Sequence, residues 1–121
     1  MLLLQRALHR SVMRVLLVST YELGHQPLHV ASPAAALRRH GHEVRCLDLA
    51  VEPWDPGALE WAEAVAFSVP MHTAMRLAMR AAAAVREARP HRPVCFYGLY
   101  APVSRDRCAA CSRTSAMWTS P

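Results

Sequence analysis

A chain of 121 residues, 53% hydrophobic and 19% charged, has room for one globular domain and none for a second catalytic one. Its longest apolar runs fall well short of the roughly 18 residues that cross a bilayer, so no membrane partner is expected. The net charge of +5 carries no nucleic-acid signal, because all 14 basic residues are arginine, they are scattered along the chain, and Lys, Asn and Ile, whose codons are AT-rich, are missing together.

Residues 1–12 lack the charged start, unbroken apolar stretch and small-residue cleavage site of an export signal. They are expected to lie outside the fold, and the protein to be cytoplasmic. The first strand is expected over Arg14–Ser19, where the apolar run Val15-Leu16-Leu17-Val18 ends at polar residues. A loop rich in polar groups follows, Thr20-Tyr21-Glu22-Leu23-Gly24-His25-Gln26-Pro27. A helix is predicted over residues 33–40, with Ser32 as N-cap, Pro33 in its first position and Gly41 as a left-handed stop.

The second strand is predicted over Glu43–Asp48. Residues 55–63 read as a short helix capped by Asp55, with Pro56 behind the cap and Leu59 and Ala62 on one side. Residues 64–69 form a continuous apolar strand, as expected where both faces of a parallel sheet are covered. Residues 73–89 are the clearest helix, with Met75, Ala78, Met79, Ala82 and Val85 on one stripe. Pro90 and Pro93 punctuate the turn into a fourth strand at Val94–Tyr97, which ends at Gly98.

Strands alternating with helices imply an open, right-handed parallel α/β sheet of the Rossmann-like, flavodoxin-like type, with four strands and therefore an incomplete three-layer sandwich. The domain is expected to span residues 13–103. Residues 104–121 have no strand or helix periodicity and are rich in Ser, Thr, Arg and Cys, in the manner of a disordered or frameshifted tail. A sheet that stops after four strands leaves the fourth as an unprotected edge and is expected to bare apolar sheet surface beside the first helix, so that the chain would be marginally folded or aggregation-prone and bind ligand weakly or not at all.

The run RVLLVSTYELGHQPLHVASPAAALRRHGHEVRCLDL, the run AVAFSVPMHTAMRLA and the run VREARPHRPVCFYGLYAP, in this order and spacing, resemble the N-terminal cobalamin-binding domain of radical S-adenosylmethionine enzymes. Within them the likeness is to the subgroup with a Cys- or selenocysteine-Ala-Glu-Pro tail. The resemblance covers about three quarters of the chain and implies cobalamin as cofactor, held by the loops at the carboxyl ends of the strands. By position the cofactor-binding candidates are Ser19, Thr20, Tyr21, Glu22, Gly24, His25, Gln26 and Pro27 after strand one, and Ser68, Val69, Pro70, Met71, His72 and Thr73 after strand three. Tyr97, Gly98, Leu99 and Tyr100 complete the set after strand four. Ser68 and Thr73 are the foremost side chains. S-adenosylmethionine and a 4Fe–4S cluster are implied only for a full-length parent with a separate radical domain, because the CxxxCxxC that would ligate such a cluster is missing here.

His25 sits in Leu23-Gly24-His25-Gln26-Pro27-Leu28 without the Asp and Gly of the Asp-x-His-x-x-Gly loop that ligates cobalt in methionine synthase-type domains, so a loop role is expected of it rather than ligation. His72 either lines the pocket or caps the following helix. His29, His40, His42 and His91 lie at no metal-ligand spacing and read as surface residues. Met71, Met75 and Met79 read as core packing. Cys46 and Cys95 read as small buried hydrophobes, and Cys108-Ala109-Ala110-Cys111 lacks the second ligand pair of a zinc site. No metal site and no catalytic residue is predicted.

A different function class is the N-terminal half-domain of a two-domain, GT-B type glycosyltransferase, which Gly24-His25-Gln26-Pro27 and Gly41-His42-Glu43-Val44 also resemble. That family carries long insertions after strand two, whereas here strands three and four follow at short intervals. A receiver-like signalling domain is disfavoured because strand one ends without acidic residues and no phosphoacceptor Asp follows strand three.

Overall fold

In the computed structural model, which describes residues 12–102, strands and helices alternate: β1 (Arg14–Ser19), α1 (Leu28–Arg39), β2 (Glu43–Asp48), α2 (Pro56–Trp61), β3 (Ala64–Ser68), α3 (His72–Ala88) and β4 (Val94–Tyr97). The four strands form one all-parallel sheet in the order β2-β1-β3-β4. This is the open α/β architecture, Rossmann-like and flavodoxin-like, that the alternation predicts. Its strand order reverses between β1 and β3, the place where ligand crevices open in such sheets.

Period-two alternation divides the core. Val15, Leu17, Val44, Ala66, Cys95 and Tyr97 face Val30, Ala34 and Leu37 of α1. On the other face Leu16, Val18, Val65, Phe67, Val94 and Phe96 pack with Ala58 and Leu59 of α2 and with Met75, Ala78, Ala82 and Val85 of α3. Phe67 and Phe96 stack there with ring centroids 5.7 Å apart.

The strand limits follow the apolar runs to within a residue. Asp55 caps α2 as predicted, its carboxylate accepting from the Ala58 N–H at 3.1 Å, although α2 ends at Trp61 rather than residue 63. The buried Arg92, on which the sequence reading placed no role, donates from its guanidinium to the Leu59 and Ala62 carbonyls at that end. Gly41 ends α1 as expected: at φ +86° its N–H reaches the Arg38 carbonyl while that of His42 reaches Leu37, the paired closure of a left-handed stop.

The start of α1 differs from expectation. The helix begins at Leu28, five residues before the predicted start, and Pro33 lies inside it rather than at its first position. Proline has no N–H, so the His29 carbonyl loses its normal partner four residues on. The Tyr97 hydroxyl supplies that partner from the far strand, donating to the His29 oxygen at 2.6 Å. A tertiary donor therefore outweighs the local Ser32-Pro33 signal.

Three further expectations are corrected. His42 is buried, 4% exposed, because the Gly41 turn folds it inward and its Nδ1 accepts from the Met13 N–H at 3.1 Å. Cys46 is exposed because β2 is an edge strand that α1 does not fully cover. The bare apolar surface expected at β4 is not found among the described residues: all four of its side chains are buried. The Cys108–Cys111 pair and the segments 1–11 and 103–121 lie outside the described residues.

Partial burial pushes the Cys46 thiol above its ordinary value, with the Arg38 guanidinium opposing, while Cys95 is fully enclosed. Iodoacetamide is thus expected to modify Cys46 slowly in the folded protein and to spare Cys95 until unfolding. Peptide mass mapping checks this; equal modification of both would contradict the packing of β4.

Candidate functional site

The strand register places four polar side chains in one row at the carboxyl edge, all on the face that α1 covers. Asp48 pairs with Ser19, Ser19 with Ser68 and Ser68 with Tyr97. Ser19, Ser68 and Tyr97 were legible as polar ends of apolar strands, but Asp48 was missed, since its place in the row depends on register. Asp48 turns its carboxylate to the Ala50 N–H at 3.0 Å.

Ser68 is the anomaly of the row. It is 1% exposed, and its Oγ makes no hydrogen bond of good geometry, although it lies close enough to the Tyr97 phenol to interact with it. A buried hydroxyl without a well-formed hydrogen bond costs up to about 1–3 kcal/mol, which leaves Ser68 with capacity for a further partner. Burial raises the pKa of the neighbouring Tyr97 phenol, and a side-chain interaction with the Ser68 hydroxyl opposes this in part.

The loops above the row separate into committed and available groups. Thr20 donates to the Ala74 carbonyl at 3.0 Å and so ties the end of β1 to the first turn of α3. Val69 is enclosed, its N–H bonded to Tyr97 and its carbonyl to the Tyr100 N–H. Gly98, at φ +114°, lies so close that a Cβ there would come within 3.2 Å of the Val69 backbone. These three hold the edge together, which leaves their neighbours to meet a ligand.

After β1, a turn closed by the His25 N–H on the Glu22 carbonyl puts Leu23 at φ +54° beside Gly24 at +79°. Leucine in the left-handed region costs roughly 1–2 kcal/mol, and strain of this kind concentrates at functional loops. Glu22 pairs with His29 at 3.0 Å, which joins this loop to α1. Tyr21 and Pro27 are half-buried, and His25 and Gln26 are exposed at the rim. His72 is the first residue of α3 rather than its cap, and its Nδ1 lies 3.0 Å from the Tyr100 hydroxyl, bridging the loops after β3 and β4. Pro70 and Met71 are half-buried beneath that bridge, and Thr73 is exposed on α3.

An apolar rim borders these groups. Leu23, Leu28, Val51 and Leu99 are exposed in the segments following β1, β2 and β4, whereas of the described large apolar residues only Val12 and Leu77 are exposed elsewhere. Among the described residues no three His, Cys, Asp or Glu side chains converge as a metal site, and no helix is long and apolar enough to cross a membrane. No family model, curated protein or solved structure matches the chain.

Because the Tyr97 phenol is held protonated by burial, its folded pKa lies above the unfolded value of 10.0. The stability this contributes is complete below about pH 10 and is lost as pH rises toward the folded value. The stability gap between wild type and Tyr97→Phe is therefore expected to narrow above about pH 10, as read from urea denaturation. A constant gap through pH 11.5 or so would contradict the burial of the phenol.

Proposed function

We propose that this chain is a cobalamin-binding module that takes the corrinoid against the carboxyl-end loops of its sheet, as the cofactor domain of a radical S-adenosylmethionine protein. The observation that supports the reading is the buried Ser68 hydroxyl, without a hydrogen bond of good geometry, at the carboxyl end of β3 where the strand order reverses beside β1. Its fit to the cofactor is chemical: a large amphipathic ligand needs a few buried polar contacts within an apolar surround, and Ser68 pairs in register with Ser19 while Leu23, Leu28 and Leu99 are exposed in the segments that follow the strands.

Ser68 and Ser19 would bind the polar arm of the ligand. The backbone of the turn at residues 22–25 and the His72–Tyr100 pair would hold its edge. When bound, cobalamin supplies a cobalt centre that carries and transfers alkyl groups. This chain's own residues bind and orient it, exclude water through the apolar rim, and add no acid or base of their own. The S-adenosylmethionine and iron–sulfur chemistry belongs to the proposed partner domain. The cytoplasm is the proposed compartment, in keeping with the free thiol at Cys46.

The 121-residue chain reconstituted with hydroxocobalamin and reduced to Co(II) is expected to give an electron paramagnetic resonance spectrum without nitrogen superhyperfine structure from the protein, unchanged in His25→Ala. Superhyperfine lines lost in His25→Ala would overturn the no-ligand part of the proposal. Failure of any cobalamin to bind the folded chain would overturn the whole of it.

A further inference from the structure

We propose that the first turn of α1 is a hinged flap over the carboxyl edge, pivoting at Pro33 and latched by the Tyr97 hydroxyl, and that its release admits the ligand to Ser68. The identity of that ligand rests on the cobalamin reading above; the hinge does not.

The turn is weak by construction. Its N-cap is Pro27, no side chain caps it, and no acidic residue in it complements the helix dipole. Val30 and Ala31 both turn their N–H groups to the single Pro27 carbonyl. Four residues on, Pro33 removes the donor that the His29 carbonyl needs, so the ladder is interrupted where the first turn joins the rest of the helix. Leu28, His29, Ala31 and Ser32 are exposed, which leaves Val30 as the one buried side chain holding this turn to the sheet.

Two contacts close the flap, and both pass through His29. The Tyr97 hydroxyl donates to its carbonyl at 2.6 Å, and its ring Nδ1 lies 3.0 Å from Glu22. Tyr97 is paired in register with Ser68 on the same face, and the two side chains interact, so the latch adjoins the hydroxyl it guards. Pro33 and Tyr97 are complementary: the phenol supplies what the imino acid lacks. Tyr97 is thus a positioning residue for the site, acting through the helix rather than on the ligand.

Amide exchange by nuclear magnetic resonance tests the hinge, with residues 34–39 as internal reference. In Tyr97→Phe the amides of residues 30–32 are expected to exchange on the order of five- to tenfold faster, the loss of one neutral hydrogen bond. In Pro33→Ala/Tyr97→Phe they are expected to return close to the wild-type rate, because the new N–H serves the His29 carbonyl directly. Unchanged exchange in Tyr97→Phe, or an equal increase in both backgrounds, overturns the hinge. Stopped-flow mixing with hydroxocobalamin tests the gating: association is expected to be faster in Tyr97→Phe and slower in Pro33→Ala. Binding at equal rates in all forms overturns the gate and leaves the cobalamin reading standing, whereas a wild type that binds no cobalamin counts against that reading while the exchange rates still decide the hinge.

Discussion

Phe67→Ala is expected to lower the stability of the protein by about 3–5 kcal/mol, the range for removing a large aromatic side chain from a close-packed core. Phe67 is fully buried near the carboxyl end of β3, facing the layer of α2 and α3, and it stacks on Phe96 of the edge strand. Neighbours on two strands and two helices are fixed by their own packing, so the vacated volume collapses only in part. A domain of this size has roughly 5–13 kcal/mol of total stability, and the variant should therefore be substantially unfolded in moderate urea where the wild type is native. Denaturation followed by circular dichroism checks this, and a change below about 1 kcal/mol would mean that β3 and β4 do not pack as described.

The fold was legible because its strands are short apolar runs with clear polar ends, and Arg14–Ser19, Glu43–Asp48 and Val94–Tyr97 stand where the alternation put them. Where the reading failed, a partner distant in sequence decided the outcome. Ser32-Pro33 is a strong local start signal, and it is overridden by Tyr97, whose hydroxyl stabilises a helix that already began at Leu28. His42 looked like a surface histidine because its burial depends on the Met13 N–H across the sheet. Cys46 looked like a core residue because the one-dimensional pattern does not reveal which strand is the edge.

The candidate site was legible in outline only. Ser19 and Ser68 could be named from their places at the ends of apolar strands, and the register then adds Asp48 to the same row. Thr20 and Val69, equally polar or equally close in sequence, are instead committed to holding the loops. Nothing in the sequence separates a hydroxyl that is bonded to a carbonyl from one that is buried without a well-formed hydrogen bond, and that distinction gives Ser68 its weight.

Ser68→Ala is expected to move stability and binding in opposite directions. Deleting the Oγ removes a buried polar atom whose desolvation the interaction with Tyr97 offsets only in part, so the ligand-free variant should gain up to about 1 kcal/mol, or roughly 5 °C in Tm for a domain of this length. The same deletion takes away the hydrogen bond that the ligand would make, and affinity should fall about tenfold. A merely structural serine would lose stability on truncation and leave binding alone. Gain of stability with loss of function is the signature of a group kept for a ligand.

Equilibrium dialysis of the 121-residue chain against hydroxocobalamin, with wild type and Ser68→Ala side by side and thermal unfolding recorded on the same samples, tests the central claim most directly. The wild type is expected to retain cobalamin, and Ser68→Ala, although more stable, to retain it about tenfold less tightly. A cooperatively folded wild type that retains none at millimolar cobalamin, or equal retention by both proteins, would contradict that claim.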